Sequence, residues 1–116
     1  KVCVISVSLQ NTVVGFNGSS VVLPCSSTEH HLELQDINVH WRHNDKIVFD
    51  IVKGEDSVEP QDPQYKNRVQ TFPEEYERRN FSIKLNNITR ADAGVFICFI
   101  THSSSSDQET VRLFIN

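Results

Sequence analysis

Apolar and polar residues alternate along several short segments of the chain, and this period of two is typical of half-buried β-strands. The alternating apolar sets are Val21, Leu23 and Cys25; Ile37, Val39 and Trp41; Phe81, Ile83 and Leu85; and Val111, Leu113 and Ile115. No segment between them has the wider apolar spacing of a long helix. The pattern therefore predicts an all-β fold.

Short polar segments rich in Asn, Asp, Ser and Gly separate the predicted strands, and these residues favour tight turns. They lie at 17–19, 43–46, 86–90 and 103–107. Strands that follow one another through short turns predict an antiparallel sandwich. The chain contains neither an internal repeat nor a linker, so we expect one domain over residues 1–116.

Composition narrows the functional class. The 116 residues are 38% hydrophobic and 22% charged, which suits one compact domain. The net charge of −4 arises without a long run of one sign, so no basic surface for nucleic acid is expected. No apolar run approaches the ~20 residues that cross a bilayer, and the amino end lacks the pattern of a signal peptide. We expect that any signal or membrane anchor lies outside this sequence.

Cysteines and glycosylation motifs together favour an oxidising, secretory origin. The cysteines are Cys3, Cys25 and Cys98, and Asn-x-Ser/Thr motifs predict N-glycosylation at Asn17, Asn80 and Asn87. If two of the three cysteines pair, one thiol is left over.

The order Cys25, Trp41, Cys98, with Cys98 closing the segment Asp92-Ala93-Gly94-Val95-Phe96-Ile97-Cys98, resembles the immunoglobulin superfamily. The resemblance implies a variable-type antiparallel β-sandwich of about nine strands with Greek-key connections. It also implies a Cys25–Cys98 disulfide between the sheets, which leaves Cys3 without a partner in this pairing. For Cys3 three states stay open: a free thiol, a bridge to a second copy, or a bridge to chain outside this sequence, with the first and third favoured. The two extra strands of the variable type are expected near residues 47–52 and around Val58.

The same resemblance assigns structural roles to four further residues. Trp41 is expected to pack against the disulfide in the core. Phe96 stands where the family usually has tyrosine, so it fills the core without making the hydrogen bond of the tyrosine corner. Arg68 is expected to pair with Asp92 as a structural ion pair and not a functional one.

A closer resemblance is to the T-cell costimulatory and coinhibitory ligands, inducible-costimulator ligand among them, and to butyrophilins. It is carried by Val39-His40-Trp41, Lys53-Gly54, Gln61-Asp62-Pro63-Gln64-Tyr65-Lys66-Asn67-Arg68 and Asn80-Phe81-Ser82-Ile83. The resemblance implies docking of a protein receptor through the front, or GFCC′, sheet. The implied partner-binding residues are His40, Arg42, Val48, Asp50, Val52, Ile97, Phe99 and Thr101.

Side-chain parity points independently to the same surface. If Phe96 and Cys98 face the core, the residues between and beside them face outward, and Ile97 and Phe99 make that face apolar. A solvated strand would alternate with polar residues there, as Ser82 and Lys84 do on the strand 81–85. The three glycosylation motifs fall on or beside strands of the opposite sheet, which leaves this face free. The alternative is that loops, or long side chains such as Arg42 and Arg112, cover these apolar residues.

Catalytic and metal chemistry is not expected. The segment His102 to Asp107 contains histidine, serine and aspartate, but no Gly-x-Ser-x-Gly motif accompanies them, and a hairpin loop explains the segment better. His40 and His43, three apart on one strand, face opposite sides and cannot share a metal ion. His30 and His31 belong to an expected loop. The chain is predicted to be neither an enzyme nor a cofactor-binding protein.

These observations predict the extracellular receptor-binding domain of a cell-surface immune ligand that regulates T-cell activation. It would lie on the outer face of the plasma membrane as part of a type I membrane protein, and its partner would be a costimulatory-type receptor on another cell. The alternative is a homophilic or heterophilic adhesion domain, of the kind also used as virus receptors. A weak homodimer stays open, although residues 108–116 lack the Phe-Gly-x-Gly bulge of antibody-like pairing.

Overall fold

The computed structural model describes residues 10–28, 32–57, 60–102 and 105–116. Within these ranges the chain forms nine strands and four short 3-10 helices. The strands are β1 (Gln10–Gly15), β2 (Val21–Leu23), β3 (Asn38–His43), β4 (Lys46–Val52), β5 (Glu55–Ser57), β6 (Val69–Thr71), β7 (Ile83–Leu85), β8 (Gly94–His102) and β9 (Ser105–Ile115). The helices are Leu34–Asp36, Pro63–Tyr65, Pro73–Arg78 and Arg90–Asp92.

The strands form two sheets. The front sheet has the order β1-β9-β8-β3-β4-β5, and the back sheet has the order β2-β7-β6. β1 runs parallel to β9, and the other strand pairs are antiparallel. This arrangement confirms the predicted variable-type sandwich and its two extra strands, β4 and β5. The second of these was expected around Val58, which lies outside the described residues.

A disulfide and a tryptophan join the two sheets at the centre of the core. Cys25 bonds to Cys98 across a separation of 73 residues, which confirms the predicted pairing. Trp41 lies directly opposite Cys98 in the β3–β8 register and is fully buried. Its indole Nε1 donates a 3.1 Å hydrogen bond to the Phe81 carbonyl beside the back sheet, so the polar atom of the side chain is satisfied.

A buried ion pair closes one end of the sandwich. The Arg68 guanidinium pairs with the carboxylate of the fully buried Asp92. Arg68 Nη1 also donates to the Gln64 carbonyl at 2.9 Å, and the Thr89 amide donates to Asp92 Oδ2 at 2.9 Å. Because backbone groups satisfy the remaining hydrogen-bonding capacity, the desolvated charges are compensated.

A buried histidine occupies the space around Phe96. The His43 ring stacks on the Phe96 ring with centroids 4.1 Å apart and planes at 6°. His43 Nε2 lies 3.1 Å from the Ala93 carbonyl, and His43 Nδ1 lies 2.5 Å from the Tyr65 hydroxyl. A carbonyl only accepts, so we assign the hydrogen to Nε2, and Nδ1 then accepts from Tyr65. His43 thus donates a hydrogen bond to the carbonyl of Ala93, three residues upstream of Phe96, whose own side chain has no polar atom.

Arg68→Ala should lower the free energy of unfolding by about 3 kcal/mol, because it leaves the Asp92 carboxylate buried without its partner. Chemical denaturation of the purified chain measures this loss. Arg78→Ala is the matched control, since Arg78 pairs with Glu75 on the exposed surface and should change stability by less than about 0.5 kcal/mol. Equal losses in the two variants would contradict a structural role for the buried pair.

Stability should fall as the pH drops below 6.5 because of His43. Burial lowers the pKa of its imidazole below 6.5, and the Ala93 carbonyl and Asp92 carboxylate oppose this only in part. Below pH 6.5 the unfolded chain therefore binds a proton more readily than the folded chain, which favours unfolding. The stability that depends on a neutral His43 is complete above pH 6.5 and is lost as the pH falls towards the lowered pKa. Denaturation midpoints between pH 7.5 and 5 measure the slope.

The His43→Gln variant should lose this part of the slope, although it is also less stable overall. His40→Gln changes a histidine on the opposite face of the same strand and serves as the control, since it leaves His43 in place. An unchanged slope in His43→Gln would show that other groups cause the pH dependence.

Candidate partner interface

The outward residues of the front sheet form cross-strand rows that the strand register defines. Phe99 on β8 pairs with His40 on β3, which pairs with Asp50 on β4. The next row joins Ile97, Arg42 and Ile47. β9 extends these rows with Gln108 beside Phe99 and Thr110 beside Ile97. The register therefore brings the predicted residues of β3 and β8 together on one surface.

Apolar side chains of β8 line a front-face depression of about 430 Å³. Its lining residues are Arg42, Asn44, Asp45, Val95, Ile97 and Phe99. Asn44 and Asp45 form the two-residue turn between β3 and β4, with φ angles of 50° and 66° that fit a type I′ hairpin. The tight turn sets a polar border beside the apolar side chains of Val95 and Ile97.

A polar cluster lies next to the depression. Arg42 Nη1 donates to Asp50 Oδ1 at 2.6 Å, and His40 Nδ1 lies 3.2 Å from the same oxygen. Arg42 Nη1 also donates to the Trp41 carbonyl at 2.8 Å. Asp50 is buried beneath these two side chains, so the expectation that it reaches outward to a partner is wrong. Its carboxylate instead holds His40 and Arg42 in position at the surface.

A β-bulge changes which residues of β4 face outward. Trp41 pairs with Phe49, whereas Arg42 pairs with Ile47, so Val48 is an extra residue in β4. Val48 is fully buried in the core, and its predicted outward placement is wrong. Strict alternation holds only without a bulge. Ile47 takes the front-face position opposite Arg42.

The other two predicted interface residues lie outside these rows, further from the turn between β3 and β4. Val52 is exposed at the end of β4, and Thr101 is half-buried opposite Asn38. Sequence reasoning missed Ile47, Gln108 and Thr110. The alternation of β9, with Val111 and Leu113 buried, could have found the latter two, but nothing in the local sequence signals the bulge that turns Ile47 to the front face.

None of the glycosylation motifs lies on β3, β4, β8 or β9. Asn17 and Asn87 are exposed in turns, and Asn80 is half-buried beside β7. Asn17 was expected on the back sheet, but its turn connects β1 of the front sheet to β2 of the back sheet. None of the three asparagines therefore occupies the strands that border the front-face depression.

Two findings concern chemistry and membrane insertion. Within the part of the chain that the structure describes, no three His, Cys, Asp or Glu side chains are grouped to hold a metal ion. The same residues include no helix with the length and apolar character needed to span a bilayer. Cys3, His30 and His31 lie outside the described residues, as do residues 103 and 104 of the predicted hairpin loop.

A family model for the immunoglobulin V-set domain matches residues 9–116. The chain belongs to the immunoglobulin V-set family. Its relatives include B7-type immune ligands and butyrophilins, and the family is not enzymatic. This agrees with the fold, the family and the absence of catalytic function that the sequence predicts.

Individual relatives cover most of this chain. A CD276 antigen homolog of Xenopus laevis is 34% identical over 96 residues, which are 81% of this chain and 31% of the relative. ICOS ligand of Homo sapiens is 31% identical over 99 residues, which are 83% of this chain and 33% of the relative. The chain thus spans about a third of the length of the curated relatives it matches.

One solved structure that matches this chain is that of a complex. The crystal structure of ICOS in complex with ICOS-L and an anti-ICOS-L VNAR domain matches with a TM-score of 0.82 and 27% identity. The match covers 93% of this chain and 55% of the other. The crystal structure of the human B7-H4 IgV-like domain has the same fold, with a TM-score of 0.80 at 23% identity over 90% of this chain and 91% of the other.

Val48→Ala should lower the free energy of unfolding by about 2 kcal/mol, because it removes buried methyl groups from the core. Ile47→Ala is the matched control, since its side chain is only partly buried and should cost under about 1 kcal/mol. Urea denaturation of both variants measures the difference. A larger loss for Ile47→Ala would show that Val48, and not Ile47, faces outward.

Proposed function

We propose that this chain is the receptor-binding domain of a cell-surface immune ligand that regulates T-cell activation. Its front sheet binds a protein receptor on another cell, with the depression beside Ile97 and Phe99 at the centre of the contact. In the complete protein, segments outside this sequence hold the domain on the outer face of the plasma membrane. One observation carries the proposal: outward apolar side chains on β8 stand beside a fixed polar cluster on β3 and β4.

The apolar side chains of β8 are suited to the core of a protein interface. Val95, Ile97 and Phe99 are half-buried and line one depression, so a partner side chain placed there would complete their burial. Interfaces concentrate binding energy in such central apolar and aromatic residues, which surrounding contacts shield from water. Phe99 is the largest of the three, and we assign it the main apolar contact.

The polar cluster on β3 and β4 is suited to the border of the same interface. The buried Asp50 fixes the Arg42 guanidinium and the His40 ring before any partner binds, so little side-chain entropy is lost there on association. Because Asp50 already offsets the Arg42 charge, the centre of the front sheet selects a partner surface that is apolar and carries few charges. Groups at the border then set orientation and selectivity.

Two further observations support the front sheet as the contact surface. The glycosylation motifs leave its central strands free, and bulky glycans elsewhere would not block docking. A relative with 27% identity and the same fold, ICOS-L, is seen in a crystal structure in complex with ICOS. The proposal transfers to this chain the kind of partner, a costimulatory-type receptor, and not the particular receptor.

Phe99→Ala should weaken receptor binding at least tenfold, because it removes the central apolar side chain of the interface. The measurement is staining of cells that display ICOS or other costimulatory-type receptors with tetramers of the chain, since avidity makes weak binding of flat surfaces measurable. Surface plasmon resonance with the receptor that binds then gives the fold-change.

Val22→Ala is the matched control, because Val22 is an exposed apolar residue of β2 on the back sheet and its loss should leave binding unchanged. Thermal melts establish that both variants are folded. An equal loss of receptor binding in both variants would show that the receptor binds a different surface. Strong self-association in sedimentation, with no receptor bound, would replace the proposal with an adhesion function.

A further inference from the structure

A second set of apolar side chains is exposed at the edge of the front sheet. Val14 is 52% exposed and Phe114 is 48% exposed, and the two are direct partners in the β1–β9 register. Gly15 faces the interior, since a Cβ there would lie 2.4 Å from Ile88 Cδ1. The alternation beyond Gly15 turns Phe16 outward with Val14, and Phe16 is 63% exposed, the most of any large apolar residue described.

A hydrogen-bonded turn holds Phe16 next to the glycosylation motif Asn17-Gly18-Ser19. The Ser19 amide donates to the Phe16 carbonyl at 2.9 Å, and Gly18 has a φ of 86°, which fits a type II turn with Asn17 at its second position. The Ser19 hydroxyl also donates to the Phe16 carbonyl at 2.7 Å and accepts from the Phe16 amide at 3.1 Å.

The turn is also attached to the rest of the sandwich. The Gly18 amide donates to the Ile88 carbonyl at 2.7 Å, and the Ile88 amide donates to the Ser19 carbonyl at 2.9 Å. Ile88 is fully buried. The backbone on both sides of Asn17 is therefore fixed, while the Asn17 side chain is exposed.

We propose that Asn17 carries an N-linked glycan whose first sugar lies against the Phe16 ring and covers it. Transfer joins Asn17 Nδ2 to the anomeric carbon of an oligosaccharide supplied by a lipid-linked diphosphate donor. The bond from that carbon to the diphosphate breaks, the lipid diphosphate leaves, and Nδ2 loses one proton. The apolar C–H face of a pyranose ring is the chemical match for an exposed aromatic ring at the first position of the same turn.

The other two motifs lack this arrangement, which makes the inference specific to Asn17. At Asn80, the side-chain Oδ1 accepts from the Ser82 hydroxyl at 2.7 Å, and the intervening Phe81 is fully buried. At Asn87, the residue before it is Asn86 and the residue after it is the buried Ile88. Neither motif places an exposed aromatic ring beside its asparagine. The proposal is independent of receptor binding on the front sheet.

A double-mutant cycle tests the contact between glycan and ring. The chain is secreted from a eukaryotic host as wild type, Asn17→Gln, Phe16→Ala and the double variant, intact mass gives glycan occupancy, and calorimetry gives Tm. Asn17→Gln should lower Tm by about 2–5 °C when Phe16 is present and by much less in the Phe16→Ala background. That difference isolates the contact from any general effect of a glycan on the unfolded chain.

The matched control is Asn87→Asp, which removes a glycosylation motif in a neighbouring turn and keeps a residue suited to the left-handed φ of 51°. Its effect on Tm should be the same with and without Phe16. An unmodified Asn17 in the secreted wild-type chain would overturn the proposal. So would a Tm change for Asn17→Gln of equal size in both Phe16 backgrounds.

Discussion

The Cys25–Cys98 disulfide and the Trp41 side chain opposite Cys98 link the two sheets, and the arrangement of both sheets depends on this link. Trp41 stands opposite Cys98 in the register of β3 and β8, and its indole bonds to the Phe81 carbonyl beside the back sheet. Closing a loop of 73 residues contributes about 4 kcal/mol in a chain-entropy model. Because β3 and β8 are locked in this register, the outward residues Phe99 and His40 must lie side by side.

The end of the sandwich near Asp92 is stabilised by polar groups placed where water is excluded. Asp92 holds Arg68, and His43 connects the Ala93 carbonyl to Tyr65. Burial raises the pKa of Tyr65 to about 12, so its hydroxyl keeps the hydrogen that it donates to His43. The domain thus retains a fixed core without the tyrosine corner of its family, and a histidine on the neighbouring strand bonds to the Ala93 carbonyl and stacks on Phe96.

Some outward positions of the front sheet form its surface and others hold neighbouring side chains in place, and the alternation pattern of the sequence does not distinguish the two. Ile97 and Phe99 provide apolar surface, while Asp50 is hydrogen-bonded to Arg42 and His40 and is buried. An acidic residue at an outward position of a strand would ordinarily be counted among the residues that touch a partner protein. Here it is a positioning residue, and the side chains that it holds provide the polar surface.

The sequence by itself determined the family, the sandwich and most of the outward face. The spacing of Cys25, Trp41 and Cys98 is specific to one fold, and the parity of β8 follows from Cys98 alone because no bulge interrupts that strand. Only the tertiary structure decided that Val48 is buried and that Asp50 lies beneath its neighbours. A bulge depends on how two strands pair, and burial depends on which side chains of other strands pack against a residue. Neither can therefore be predicted from the local pattern of one strand.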